Sequence, residues 1–172
     1  MFQPLPTPAK NWAIDVLTTD FLISGHVDGD RNRLAFQLLG GDYSSIVISS
    51  ARIQPTGNLA TPDALAAQWT VAYGDTVVAV IPRDQASLDY AVKSNADWKN
   101  PLPAEVYAGH YLIRGAVLSP GNNLRAFAAY TAGIAIQQAQ ITSLVPGARL
   151  SGLSAPYLLL VGRHKHLVRP VP

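Results

Sequence analysis

His164 and His166 stand two residues apart in a stretch whose alternation predicts a strand, so both imidazoles would face one side and could share a metal ion. No third ligand lies near them in sequence, and Arg163, Lys165 and Arg169 crowd the pair with positive charge. A cation would be repelled, and the segment reads as a solvated basic edge strand. His26 and His110 border two other predicted strands and read as rim histidines. Asp28, Asp30 and Asp42 offer carboxylates for calcium, but the alternating oxygen ligands and distal Glu of an EF-hand loop are missing, so they read as turn carboxylates. The absence of Cys excludes disulfides, thiolate metal ligands and cysteine nucleophiles. There is no Gly-rich phosphate loop, nucleophile elbow or H-E-x-x-H motif. Nothing in the sequence argues for an enzyme, a metal or a cofactor.

The distribution of charge is more informative. All eleven acids lie at or before Glu105, together with seven Lys or Arg, which gives that part a net charge of −4; six Lys or Arg and no acid follow, a net of +6. A basic second half offers Arg114, Arg125, Arg149, Arg163, Lys165 and Arg169 to an anionic partner, with Tyr111, Tyr130 or Tyr157 available for base stacking. Asp28, Asp30 and Asp42 form a possible acidic interface in the first half. Opposite charge on two halves suits head-to-tail stacking of copies, acidic on basic.

The elements that must position these groups follow from patterning. Hydrophobic residues make up 48% of the 172, and charged residues only 14%, well below the usual quarter. More of the surface than normal is therefore neutral or apolar, which favours partners. Thirteen Gly and thirteen Pro fall between regularly spaced apolar runs, the pattern of a turn-rich β protein. No apolar run approaches the roughly 20 residues that span a bilayer. The first residues carry Pro4, Pro6 and Pro8 and two interrupting acids rather than a leader pattern, so the expectation is a cytoplasmic protein without a membrane span.

The chain also resembles itself. Phe21-Leu22-Ile23-Ser24-Gly25-His26-Val27 returns 90 residues later as Tyr111-Leu112-Ile113-Arg114-Gly115-Ala116-Val117. Ile46, Ile48, Ala51 and Ile53 match Ile134, Ile136, Ala139 and Ile141 at an offset of 88, as Gly74, Val80 and Pro82 match Gly162, Val168 and Pro170. Order, spacing and apolar phase agree, which predicts a tandem duplication. The divisions are an N-terminal Pro-rich arm at 1–19, a β repeat at 20–83, a helical and Pro-rich linker at 84–108, and a second β repeat at 109–172. Each repeat is expected to hold a strand (20–28, 110–118), a short helical turn (33–39, 124–130) and a second strand (45–53, 133–141). A terminal hairpin closes it (69–73 with 76–81, 157–161 with 164–168). Alternation in 45–53 points Ile46, Ile48 and Ser50 one way and Val47, Ser49, Ala51 and Ile53 the other. Thr61-Pro62-Asp63 before Ala64-Leu65-Ala66-Ala67 is a helix-start signal, and residues 84–98 predict a connecting helix ended by Pro101 and Pro103.

Four segments carry a family likeness: Phe21 to Val27, Arg33-Leu34, Ala51-Arg52-Ile53, and Pro156-Tyr157-Leu158-Leu159-Leu160-Val161. Through them the chain resembles a family of uncharacterised small bacterial β domains, present here twice. The resemblance implies a small β unit and brings no activity or site residue with it. The order of elements is also similar to a small Sm-like barrel, by analogy of architecture.

The fold expectation is therefore a mainly β chain with short helices, arranged as two tandem-duplicated small β-barrel or sandwich-like units. The functional expectation is a non-enzymatic structural or protein-interaction module that docks into an assembly or associates with itself. The alternative is a binder of nucleic acid or an anionic ligand through the second repeat; a small-molecule or flavin-binding barrel enzyme is a third reading, resting on fold class alone.

Overall fold

The run Val77–Pro82 contains no charge and is buried at every position, so it needs a neighbour on each side and cover on both faces. In the computed structural model, which describes residues 11–28, 45–58, 62–72, 76–94, 100–119, 134–161 and 165–171, this run lies near the middle of one ten-stranded antiparallel sheet. The strands are β1 (Asn11–Thr18), β2 (Phe21–Asp28), β3 (Ser45–Pro55), β4 (Ala64–Ala72), β5 (Val77–Pro82), β6 (Asn100–Ala108), β7 (Tyr111–Ser119), β8 (Ile134–Ser143), β9 (Gly152–Leu160) and β10 (Lys165–Pro170). One helix, α1 (Gln85–Ser94), joins β5 to β6. The strand order is β10-β6-β7-β8-β9-β5-β1-β2-β3-β4, an open sheet with β10 and β4 at its edges. Among the described residues the chain is thus mainly β with one short helix, and no helix there is long and apolar enough to cross a membrane.

Several expectations change. Residues 64–72 form β4 rather than a helix, because pairing with β3 from Ser45↔Ala72 to Ile53↔Ala64 overrides the helix preference of the Ala-Leu-Ala-Ala run. The two terminal hairpins do not form. Among the described strands, β4 pairs with β3 alone while β5 pairs with β1 and β9, and β10 pairs with β6 while β9 pairs with β8 and β5. The reason lies in burial: β5 is apolar on both faces and is satisfied only between two strands, whereas a hairpin with β4 would leave it nearer the edge. Residues 11–18, assigned to the arm, are β1, and 100–108, assigned to the linker, are β6. Pro101 and Pro103 are tolerated in β6 because β10 pairs with Ala104 to Ala108, and the one bond beyond it, Val171 N to Pro103 O, uses the carbonyl of Pro103 and needs no amide proton from it. The short helical turns expected at 33–39 and 124–130 lie outside the described residues.

The alternation of β3 breaks at one point. Ser24 faces Arg52 and His26 faces Ser49, so β3 holds one residue more than β2 over this interval, and Ser50 adopts a φ of 50°. This bulge lets Ile46 and Ile48 on one side of it and Ala51 and Ile53 on the other all be buried, where uninterrupted alternation would separate them. The same irregularity occurs between β7 and β8, where Arg114 faces Gln140, Ala116 faces Gln137, and Gln138 has a φ of 51°.

Two buried clusters form the core, and each draws on both ends of the chain. One gathers Trp12, Ile14, Val16, Ile46, Ile48 and Val80 with Tyr157 and Leu159 of β9. The other gathers Val106, Ile113, Ile134, Ile136, Leu158 and Leu160 with Leu17, Ala79 and Ile81 of β1 and β5. Helix α1 closes the first cluster through Ala91, and its Tyr90 ring packs on Trp12 at a centroid distance of 4.2 Å.

Candidate interaction surfaces

The seam between β5 and β9 joins the first five strands to the last five. Its backbone pairing is Ala79↔Leu160 and Val80↔Leu159, extended by the Val161 amide donating to the Val78 carbonyl at 2.9 Å. A second backbone contact runs beside it, with Arg149 N donating to Gly57 O and Leu150 N to Thr56 O. Arg149 also reaches Asp63 at 3.0 Å, and the same carboxylate accepts from Arg52 and Gln54 at 3.2 Å. Those donors, Arg52 first, hold Asp63 below the ordinary carboxylate range.

Tyr111 locks this seam from the start of β7. Its hydroxyl donates to the Thr18 carbonyl at 3.0 Å and shares a hydrogen bond with the Thr56 hydroxyl at 2.8 Å, all in a buried setting. Burial pushes its phenol pKa up, against a smaller opposing effect of the Thr56 contact. Tyr111→Phe removes the phenolic partner of two buried polar groups and is expected to cost about 1–3 kcal/mol, read as a lower urea midpoint at unchanged slope. An unchanged midpoint would mean that the hydroxyl contributes nothing to holding the seam.

Two buried carboxylates organise the basic side chains. Asp15 of β1 is paired with Arg83, and Glu105 of β6 with both Arg114 and Arg169. Glu105 lies between its two partners in the sheet, facing Arg114 in β7 and Arg169 in β10, and the guanidiniums, Arg114 first, hold it below its usual range. A buried carboxylate without such partners would be strongly destabilising. Neither acid was legible as special, since a lone carboxylate in an apolar strand has no motif.

Four of the six basic residues offered to an anionic partner lie among the described residues. Arg114 and Arg169 converge on Glu105 and Arg149 binds Asp63, while Lys165 begins the edge strand β10. Arg125 and Arg163 lie outside the described residues. Asp28 ends β2 opposite Asn11, and Asp30 and Asp42 lie outside the described residues. His166 lies in β10, and His164 falls outside. Among the described residues no three of His, Asp and Glu gather as a metal site. An open groove of about 740 Å³ runs between α1 and the β8–β9 surface, lined by Leu88, Val92, Lys93, Gln137 and Tyr157.

The sheet edges are the remaining surfaces. Strand β4 presents nine residues without a charge or a proline, and carries Leu65, 84% exposed, and Trp69, 45% exposed. Strand β10 carries Lys165, Arg169 and Pro170 in six residues, the residue types that usually guard an edge. No protein-family model, curated protein or solved structure matches the chain.

Proposed function

We propose that the protein is a non-enzymatic structural module, two fused copies of one five-stranded unit, which docks into an assembly or associates with itself through an acidic first half and a basic second half. The observation that carries this reading is the seam itself: two sets of five strands with like pairing are joined edge to edge, β5 on β9. Val16 faces Val80 as Val106 faces Val168, and Asp15 and Glu105, 90 residues apart, are both buried acids bound by Arg. The bulges at Ser50 and Gln138 agree at the offset of 88. In the fourth strand the pairing supports an offset of 89, since Ile46 faces Val71 and Ile134 faces Leu160; this moves the sequence match of Trp69 to Tyr157 by one residue.

Within each half the order is fifth, first, second, third, fourth, which keeps the Sm-like likeness as an analogy of strand order. The resemblance to uncharacterised small bacterial β domains fits the same division into units. Nucleic-acid binding by the second half has less support, because three of its six cations are spent on carboxylates within the chain.

Light scattering at low and high salt, with absorbance recorded at 260 nm, tests the proposal. Multimers that shrink as salt rises, free of nucleic acid, are the expected result, since screening weakens contacts between opposite charges. A monomer at both salts that copurifies with nucleic acid would overturn it in favour of the anionic-partner reading.

A further inference from the structure

We infer that copies of this chain join head to tail, β10 of one molecule adding to the β4 edge of the next in the antiparallel register of the β5–β9 seam. The inference rests on the proposed reading of the chain as two like units that self-associate, and deepens it by naming the edges and the register. By its pairing with its first-strand neighbour, β10 takes the place of β5; by its pairing with its third-strand neighbour, β4 takes the place of β9. Both seam partners are thus present a second time, at opposite edges of the open sheet. Transferring the register Ala79↔Leu160 and Val80↔Leu159 sets Leu167 opposite Val71 and Val168 opposite Thr70 of the next copy. One step further in the same register, Arg169 falls opposite Trp69, at the stations that Ile81 and Leu158 hold within the chain.

Exposure supports this pairing at two separate places. Trp69 and Leu158 hold the same station, across from Ile48 and Ile136, yet Leu158 is fully buried in a cluster that includes Ile81 and Trp69 stays 45% exposed. Arg169 stands where Ile81 stands, with a largely exposed side chain, and a guanidinium over an indole face is a favourable replacement for Ile on Leu. The second place is Leu144. Thr56 N bonds to Asp20 O as Leu144 N bonds to His110 O, so the two residues are counterparts; Thr56 is 2% exposed under Tyr111 and the 149–150 backbone, and Leu144 is 48% exposed. Two of the large apolar residues left in solvent are therefore those whose counterparts the internal seam covers.

The edges also permit the joint. Strand β4 itself carries no charge and no proline, and Pro170 matches Pro82, which lies beyond the residues of β5 that pair with β9. Chain polarity places the basic half against the acidic half of its neighbour. Gln68 and Thr70 occupy the stations of Tyr157 and Leu159, so this joint buries less apolar surface than the internal seam and is the weaker, salt-sensitive one.

The chain has no cysteine, so single thiols report the register cleanly. Trp69→Cys and Arg169→Cys variants are mixed in equal amounts under mild oxidation, and linked peptides are identified by mass. The two positions would form a non-hydrogen-bonded antiparallel pair with Cα atoms about 4.5 Å apart, within disulfide reach. The expected result is a 69–169 link at least tenfold over 69–69 and 169–169. Predominant 69–69 links, or a salt-sensitive oligomer with no link, would overturn the head-to-tail joint while leaving self-association intact. A monomer by light scattering under every condition would remove both. A Trp69→Ser variant with unchanged thermal unfolding is expected to weaken association at least tenfold; unaltered association would count against the joint.

Discussion

Gly25→Ala and Gly115→Ala are each expected to destabilise the protein by about 2–3 kcal/mol, the cost of forcing a methyl group into packed space. A Cβ on Gly25 would stand 2.5 Å from Ile48 Cγ2 and 2.7 Å from the Ser49 carbonyl oxygen; on Gly115 it would stand 2.6 Å from Ile136 Cγ2 and 2.7 Å from the Gln137 oxygen. The Ile methyl could rotate away at modest cost, but the carbonyl belongs to the bulge backbone and cannot. Each glycine faces the extra residue of its neighbour strand, where the bulge pushes backbone toward it. Gly57→Ala is the control, since nothing lies within 4 Å of its Cβ position, and it is expected to stay within about 0.5 kcal/mol of the parent. Urea unfolding of the three variants decides the matter. Equal losses at 25 and 115 support the reading of the halves as copies of one unit; a large loss at only one would show that the two bulges are not equivalent in packing.

How much of this was legible in the sequence depends on the kind of signal. The strands around Phe21 to Val27 and Tyr111 to Val117 are readable because apolar residues, a repeated Gly spacing and flanking turns coincide there. The helix after Pro82 was readable from its Leu88, Ala91 and Val92 spacing and its Asp84 start. Which strand pairs with which was not. Gly74-Asp75 and Gly162-Arg163 look like hairpin turns, yet the strands on either side separate to different neighbours, because a local turn motif says nothing about a distant edge that buries more surface.

The seam shows the same limit. The sequence displayed the opposite charge of the two halves and the six cations of the second, but not that Glu105, the last acid in the chain, gathers two of them. Pairing between residues 9 and 64 positions apart is set by sheet register, which composition does not encode. Asp63 stands in a helix-start pattern, but in the fold it ties Arg52 to Arg149, the latter 86 positions away from it. Tyr111, by type an aromatic available for stacking, is a buried seam residue. In each case the residue was visible and its partner was not.

Asp84→Ala is expected to cost roughly 2–4 kcal/mol, combining a lost helix cap with a partly buried amide left without its acceptor. Asp84 Oδ1 accepts from the Ser87 amide at 2.7 Å, the N-cap contact of α1, and Oδ2 accepts from the Ala13 amide of β1 at 2.8 Å. One carboxylate thus fastens the helix to the strand on which its Tyr90 packs. Burial disfavours its charged form and is the largest single influence on it, but the Ala13 and Ser87 donors together outweigh that and lower its pKa from 3.8. Because the folded pKa lies below the unfolded one, the stabilisation is fully present above about pH 4 and is lost as pH falls through the folded value. The gap between parent and Asp84→Ala urea midpoints should therefore be wide at pH 7 and narrow toward pH 2. Asp84→Asn keeps an acceptor for one of the two amides and is expected to fall between the two proteins at pH 7, with no change of its own on acidification. A gap that stays constant with pH would mean that the neutral side chain fastens α1 as well as the ionised one, and that shape rather than charge holds the helix on the sheet.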